Sequence, residues 1–394
     1  MSRNERAAVI RQLEKSRNSR VIAYFCSDRQ CAAAQIGEDA VRPMYDVLRV
    51  IGRTERIDLF LFSHGGALEV PWRIVAMLRE YCDHLGVLIP YFAQSAATLI
   101  ALGCDQLVLG SKAELGPIDP AKSVVTREGS TATREDVRVE DVMAYIEFLT
   151  KKANIDDPKT IGQHTHSLAE RLRPWTLGSL YRTHSHIRMV AERMLASHKN
   201  PHDCEQIAKI IQALAEETRS HGHGISRKEA ELLGLKIQRP DRELEDAMWQ
   251  LFEHYEAACS MRDPIDPETS IGSAPQKALR VILAWIESTE MTWGFRGDLH
   301  LRRIRPPSPR FDVKVNLGFS LNFTPPPGVD LQNLPTQALA QIQQDLSRQI
   351  QSQLQQHVQA LPEIVREHAE AQMLPGDVTI RVVAKWTDVT HEGV

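Results

Sequence analysis

No apolar run in this sequence is long enough to cross a bilayer: the longest, residues 87–110, is broken by Gln94, Asp105 and Gln106. The first twenty residues, MSRNERAAVIRQLEKSRNSR, alternate charges and carry no apolar core of the signal-peptide kind. An excess of one charge is missing too, since 47 lysines and arginines stand against 51 aspartates and glutamates. That balance gives no reason to expect nucleic acid as a partner. Cysteine is sparse, and the six residues at 26, 31, 82, 104, 204 and 259 form no CxxC pair. No GxGxxG follows a strand-like run, so no dinucleotide is expected and the expected cofactor set is none. These absences lead to the expectation of a cytoplasmic protein without a membrane span, its thiols reduced and Cys104 a buried structural residue in an apolar run.

What is present is an ordinary apolar content of 42% on a chain of 394 residues, enough for two or three domains. After a charged helix over 1–19, short apolar strands alternate with helical patterns: strands at 20–26, 57–62 and 86–92, and helices near 39–50 and 71–81. That alternation predicts a parallel sheet with crossover helices. A buried helix at 96–103 and a strand at 106–110 continue it. The polar, aperiodic stretch 121–136 reads as a long surface loop. Helical spacing of Val139, Val142, Ile146 and Leu149 then predicts a helix through 152, and a helical extension follows over about 180–197 and 204–219. Ser226 with Glu229 three residues on forms a capping box, Gly234 is placed to end that helix, and a last helix is expected over 241–260.

Residues 263–275, rich in Pro, Ser and Gly, read as a linker closing a domain over 20–262. Beyond it, 276–394 reads as a small C-terminal α+β domain with strands at 310–323 and 378–386. Between those strands a glutamine-rich helix over 336–371 carries Leu339, Ile342, Leu346, Ile350 and Leu354 on one stripe.

Two segments carry chemistry. The first, LFLFSHGGALEVPWRIVAML (59–78), is strand, glycine turn, helix: Gly65 and Gly66 permit a tight turn with amide hydrogens pointing outward, and Pro71 suits an early helical position. Such amides favour a developing negative charge. In the second, PYFAQSAATLIALGCDQLVLG (90–110), Ser95 stands between a strand end and an apolar helix, where a serine serves either as an N-cap or as a nucleophile. One βαβ unit of about thirty residues separates the two, which brings both turns to the same carboxyl edge of a parallel sheet. The amides of Gly66 and Ala96 could then donate to one oxyanion.

These segments, with GPIDP (116–120), YRTHSHIRM (181–189) and ISRKEAELLGL (225–235), resemble the serine dehydrogenase proteinase family, relatives of signal peptide peptidase A and the Clp proteolytic subunit, over about 20–255. The resemblance implies an α/β fold, a Clp/crotonase-like spiral of parallel-sheet βαβ units. It further implies a serine peptidase with nucleophile Ser95 and oxyanion donors Gly66 and Ala96, acting on a peptide or protein substrate as a homo-oligomer. Gly65, Gly116, Pro117 and Asp119 would line the cleft; Asp119 could instead shape it as an Asp-Pro turn.

The general base is open. The stretch 111–120, where the Clp subunit has its histidine, contains none. A lysine of the kind used by other relatives would be Lys152 or its neighbour Lys151, with Lys112 and Lys122 as further candidates, while Arg138 stays charged and cannot serve. A second function, a catalytically silent scaffold binding a partner through the C-terminal domain, remains beside the peptidase. The His-x-His pairs at 164/166, 184/186 and 221/223 lack any HExxH or CxxC companion, and no metal site is expected from them.

Overall fold

The computed structural model describes residues 2–118, 121–128, 131–172, 174–217, 224–303, 340–352, 355 and 378–392, with 121–128, 131–140, 171, 216 and 217 described at the backbone only. Helix α1 (Arg3–Arg17) starts with a capping box in which Ser2 Oγ accepts from the Glu5 amide and the Glu5 carboxylate accepts from Ser2. Strand β1 (Arg20–Cys26) follows, buried along all but its first residue. Helix α2 (Val41–Ile51) leads to β2 (Thr54–Phe62), and α3 (Val70–Glu80) to β3 (Cys82–Ile89). Short β4 (Phe92–Ala93) and α4 (Ala96–Leu102) then lead to β5 (Gln106–Leu109). Strands β1, β2, β3 and β5 pair in parallel, with Phe25 opposite Phe62, Leu59 opposite Val87 and Leu88 opposite Val108. Near-continuous burial of these strands is what a parallel sheet covered on both faces requires. The expected α/β core of βαβ units is therefore present.

After β6 (Glu114–Leu115), the stretch expected as a loop is instead an antiparallel hairpin, β7 (Ala121–Glu128) and β8 (Thr131–Arg138), in register from Ala121 opposite Arg138 to Glu128 opposite Thr131. Its β-branched Val and Thr residues, with Gly129–Ser130 between the two strands in sequence, carry a hairpin signal that the surrounding charges obscure.

The helical extension is α5 (Val139–Glu147) with a π-turn at Phe148–Lys152, then α6 (Pro158–Leu172), α7 (Pro174–Ala196) and α8 (Cys204–Gln212) with a second π-turn at Ala213–Glu217. Strand β9 (Ile225–Ser226) precedes α9 (Arg227–Leu232), whose capping box joins Ser226 to Glu229 and whose end is marked by Gly234 at φ 86°. Strand β10 (Ile237–Gln238) adds to β5, and α10 (Arg242–Ala258) takes Asp241 as its N-cap. A first core layer is formed by Ile10 and Leu13 of α1, by Phe25, Phe60 and Phe62, and by Leu251, Phe252 and Tyr255 of α10.

The expected linker contains α11 (Pro267–Ile271). The expected new domain at 276 does not begin a sheet of its own. Strand β11 (Gln276–Glu287) pairs antiparallel with β1, setting Trp285 opposite Phe25, and β12 (Thr292–Arg303) and β13 (Val378–Asp388) extend the sheet to the order β10-β5-β3-β2-β1-β11-β12-β13. The cause is physical: β1 has one edge free of β2, and the apolar run 281–286 fills it as a fully buried strand would.

By internal packing the chain divides into one unit of Met1–Ser270, Ala278–His300 and Ile380–Val394, and another of Ile271–Lys277 and Leu301–Thr379. The second contains a helical stretch at 340–352, inside the glutamine-rich helix expected; the strand expected at 310–323 lies outside the described residues. Among the described residues no helix is long and apolar enough to cross a membrane.

Candidate active site

The first turn follows β2. Ser63 is fully buried, and its hydroxyl accepts from the Gly65 amide at 3.0 Å, which starts the turn. Gly65 and Gly66 adopt φ of 108° and 153°. Gly66 forms an isolated parallel bridge with Ile36: Ile36 N–H donates to Gly65 C=O and Ala67 N–H to Ile36 C=O, both at 2.8 Å. In a parallel bridge the flanking residues make those bonds, so the N–H of Gly66 itself points to the opposite side. Among the described residues that N–H donates to nothing. Glycine is required here by close approach. A methyl group at Gly66 would collide with the Ile36 carbonyl oxygen and lie 2.5 Å from its nitrogen, and one at Gly65 would lie 2.8 Å from Ser95 Cβ and 3.1 Å from the Ala96 nitrogen.

The second turn carries Ser95, at φ 52° and ψ −115°, outside the regions that L-residues adopt without strain. It stands at the start of α4, yet its side chain makes no capping hydrogen bond. Of the two roles open from the sequence, the cap is thus not the one it performs. The Ala96 amide, the first of α4, makes no hydrogen bond among the described residues. The Gly65 contacts place the glycine turn directly against Ser95 and the Ala96 nitrogen, at the carboxyl edge of the sheet.

Strand β4, in front of Ser95, pairs in parallel with β6, and β6 antiparallel with β9. Thr98, buried one turn past Ser95, locks that wall: its hydroxyl lies 2.8 Å from both the Ala93 and the Gly116 carbonyl oxygens and accepts from the Gly116 amide at 3.2 Å. A methyl group at Gly116 would lie 2.8 Å from Gln94 Cβ, which makes Gly116 a second close approach.

Residues 1–138 match the ClpP-like SDH-type serine proteinase family. That family is one of serine peptidases, and the match takes in the glycine turn, Ser95 and the Gly116–Pro117 wall. It ends short of the 255 to which the resemblance in sequence extends. Two uncharacterized proteins of Methanocaldococcus jannaschii, MJ1495 and MJ0137, are 32% and 30% identical over 124 and 123 residues, each alignment covering 29% of this chain. The chain spans 42% of the length of these relatives. Among solved structures, a membrane-bound stomatin-specific protease is similar at 13% identity and TM-score 0.33, over 58% of this chain and 85% of that one. ClpP1 from Listeria monocytogenes is similar at 14% identity and TM-score 0.31, over 59% and 99%.

Within the matched region the structure adds residues that the sequence reading missed. His64, between Ser63 and Gly65, has Nδ1 2.7 Å from Gln94 Oε1 and Nε2 3.5 Å from Asp28 Oδ2, with its ring on Phe92 at 4.2 Å between centroids. The Asp28 carboxylate raises this exposed imidazole above its ordinary value, with burial opposing and Gln94 assisting. His64 and Gln94 each stand next to a residue the motifs singled out, which was the available signal; Asp28 had none.

The lysines are dispersed. Lys152 is exposed at the end of the π-turn, and Lys151 beside it is exposed and paired with Glu147 at 3.1 Å. The Lys112 ammonium lies over the Tyr91 ring at 3.8 Å and the Trp249 ring at 5.4 Å. Lys122 is on β7, and Asp119 lies outside the described residues. Of the histidine pairs, His164 meets Tyr145 at 3.2 Å and His166 meets Glu170 at 3.5 Å, while His221 and His223 lie outside the described residues. Among the described residues no group of three or more His, Cys, Asp or Glu could hold a metal. Cys104 is fully buried, and burial pushes its thiol well above the usual range, as it pushes Cys26 up to about 12.

Gly66→Ala tests the glycine turn. Its methyl group must displace Ile36 or rotate the Gly66 amide, so if that amide is an oxyanion donor, turnover is expected to fall by about 100-fold or more. Labelling of Ser95 by a fluorophosphonate reads the loss, and wild-type rates in the folded variant would take this turn out of the site.

Proposed function

We propose that the chain is a serine peptidase that hydrolyses peptide bonds, with Ser95 as nucleophile and the amides of Gly66 and Ala96 as oxyanion donors. The observation that carries this reading is the strained, uncapped Ser95 packed against a glycine turn whose amide is free. The Ser95 hydroxyl attacks the scissile carbonyl and its proton passes to a base, while the carbonyl oxygen takes up the negative charge between the two N–H groups. Collapse of that intermediate returns the proton to the leaving amine, and water then releases the acyl group from Ser95 by the same route in reverse. Extended substrate is proposed to lie along Gly65, Gly116 and Pro117, and Asp119 is proposed to contact it. The enzyme is proposed to be a cytoplasmic homo-oligomer acting on peptides or unfolded protein segments.

The base is proposed to be a lysine. A lysine accepts a proton near neutral pH only when burial or a neighbouring cation lowers its pKa. Lys151 and Lys152 are exposed, and the rings beneath Lys112 favour its cation. Lys122, on β7, is the remaining candidate of the four. In a one-at-a-time Lys→Met series, Lys122→Met is expected to slow fluorophosphonate labelling by about 100-fold or more, the usual worth of a positioned base, with Lys112, Lys151 and Lys152 variants near wild type. Four variants at wild-type rate would end the lysine reading. A folded wild type that neither hydrolyses peptides nor takes the probe would leave the scaffold reading in its place.

A further inference from the structure

The main-chain pairing that joins the two walls of the site stops just short of the chemistry. Its last bond runs from Gln94 N–H to Ser63 C=O at 3.0 Å. Beyond it Gly65 and Ser95 both turn at positive φ, 108° and 52°, and among the described residues no main-chain hydrogen bond links the two turns. One side chain crosses that gap. His64 reaches Gln94 Oε1 through Nδ1 at 2.7 Å, and its Nε2 faces Asp28 Oδ2 at 3.5 Å, an ion-pair separation. An amide oxygen and a carboxylate both only accept, so with both contacts made the ring is doubly protonated, the form that Asp28 favours.

We propose that His64 is a positioning residue: bridged to Asp28 on one side and Gln94 on the other, it fixes the separation between the oxyanion turn and the nucleophile that follows Gln94. This rests on the peptidase reading and deepens it. His64 leads directly into Gly65, and Gln94 directly precedes Ser95, so a shift at either end of the bridge moves a reacting group. Asp28 anchors the far side from the loop after β1, and Phe92 of β4 supports the ring from below.

The bridge has a pH dependence of definite sign. Asp28, with Gln94 assisting and burial opposing, raises the histidine above its ordinary value. The doubly donating form is therefore complete below that raised ionisation and is lost as the pH climbs through it, when Nε2 gives up its proton and the Asp28 contact goes. The groups facing the ring are Asp28 from the loop after β1, Gln94 from the turn after β4, and Phe92.

The test compares wild type, His64→Ala, His64→Asn and Asp28→Asn by second-order fluorophosphonate labelling across pH and by NMR titration of the His64 ring. His64→Ala is expected to slow labelling by about 10- to 100-fold, the effect of misplacing a reacting group by a fraction of an ångström to one ångström. His64→Asn keeps a donor to Gln94 that does not titrate, and is expected to recover most of the rate and to flatten the alkaline decline. Asp28→Asn should lower the His64 ionisation and move that decline to lower pH. Wild-type rates and profile in His64→Ala would overturn the proposal. So would a His64→Asn as slow as His64→Ala, because the imidazole would then be acting as a base. The NMR titration needs no activity: an unlabelled wild type rejects the peptidase reading, whereas a His64 ionisation unchanged in Asp28→Asn rejects the bridge.

Discussion

Ser95→Ala is expected to abolish fluorophosphonate labelling and peptide hydrolysis, a loss on the order of 1,000-fold or more, while the protein unfolds no earlier than wild type. The two readouts separate the roles a serine can have at this point of a fold. An N-cap serine replaced by alanine loses about 1 kcal/mol, because an amide is left without its acceptor. Ser95 makes no such bond, so its hydroxyl leaves nothing unpaired behind. Ser95→Gly sharpens the test. The φ of 52° strains a serine by about 1–3 kcal/mol and does not strain glycine. The added freedom of the unfolded chain takes back about 0.4–1 kcal/mol, so the glycine variant is expected to match or exceed wild-type stability while remaining inert. A glycine variant that melts well below wild type would remove the strain from the account, and an alanine variant that still takes the probe would remove the nucleophile.

The parts of the site that were legible in the sequence are those encoded locally. The Gly65–Gly66 pair after an apolar strand, Ser95 before an apolar helix, and one βαβ unit between them were enough to place both turns at one sheet edge. The conformation of Ser95 was not legible, because AQSAAT serves a capped helix start and a strained elbow equally well; the choice is made by Gly65 pressing against Ser95 Cβ, across about thirty residues of chain. The histidine bridge was hidden for a related reason. His64 and Gln94 were adjacent to the motif, but Asp28 sits in the loop after β1 and meets His64 only through a tertiary contact.

The fold shows the same division. Strands β1 to β5 follow from apolar runs bounded by helical periodicity, and α9 from its capping box. The strand at 276–287 was passed over because the Pro, Ser and Gly residues before it look like a domain linker. Its apolar run 281–286 is the mark of a strand buried on both faces, but only the open edge of β1 says which sheet it enters.

That entry depends on one buried ion pair, and breaking it is expected to have the largest effect on stability. Arg6 Nε of α1 donates to Glu287 Oε2 at 2.7 Å, with both side chains fully buried. Tyr255 of α10 and Thr292 of β12 donate their hydroxyls to the same carboxylate at 2.8 and 3.0 Å, and the Arg6 guanidinium lies 4.4 Å over the Trp285 ring. Four elements, α1, α10, β11 and β12, thus meet at Glu287. Arginine cannot shed its proton to escape an uncompensated site; burial opposes its charge and Glu287 sustains it. Glu287→Leu is therefore expected to cost about 3–5 kcal/mol in urea unfolding, since it removes the carboxylate facing a buried cation and the acceptor of the Tyr255 and Thr292 hydroxyls. Arg6→Met should cost less, because Tyr255 and Thr292 still donate to the carboxylate. The decisive variant is the double one: with both charges gone, Arg6→Met/Glu287→Leu is expected to recover much of the loss, since a well-packed apolar pair often replaces a buried ion pair at no net cost. Additive losses in the double variant would mean that the two side chains act through separate packing contacts instead of through each other.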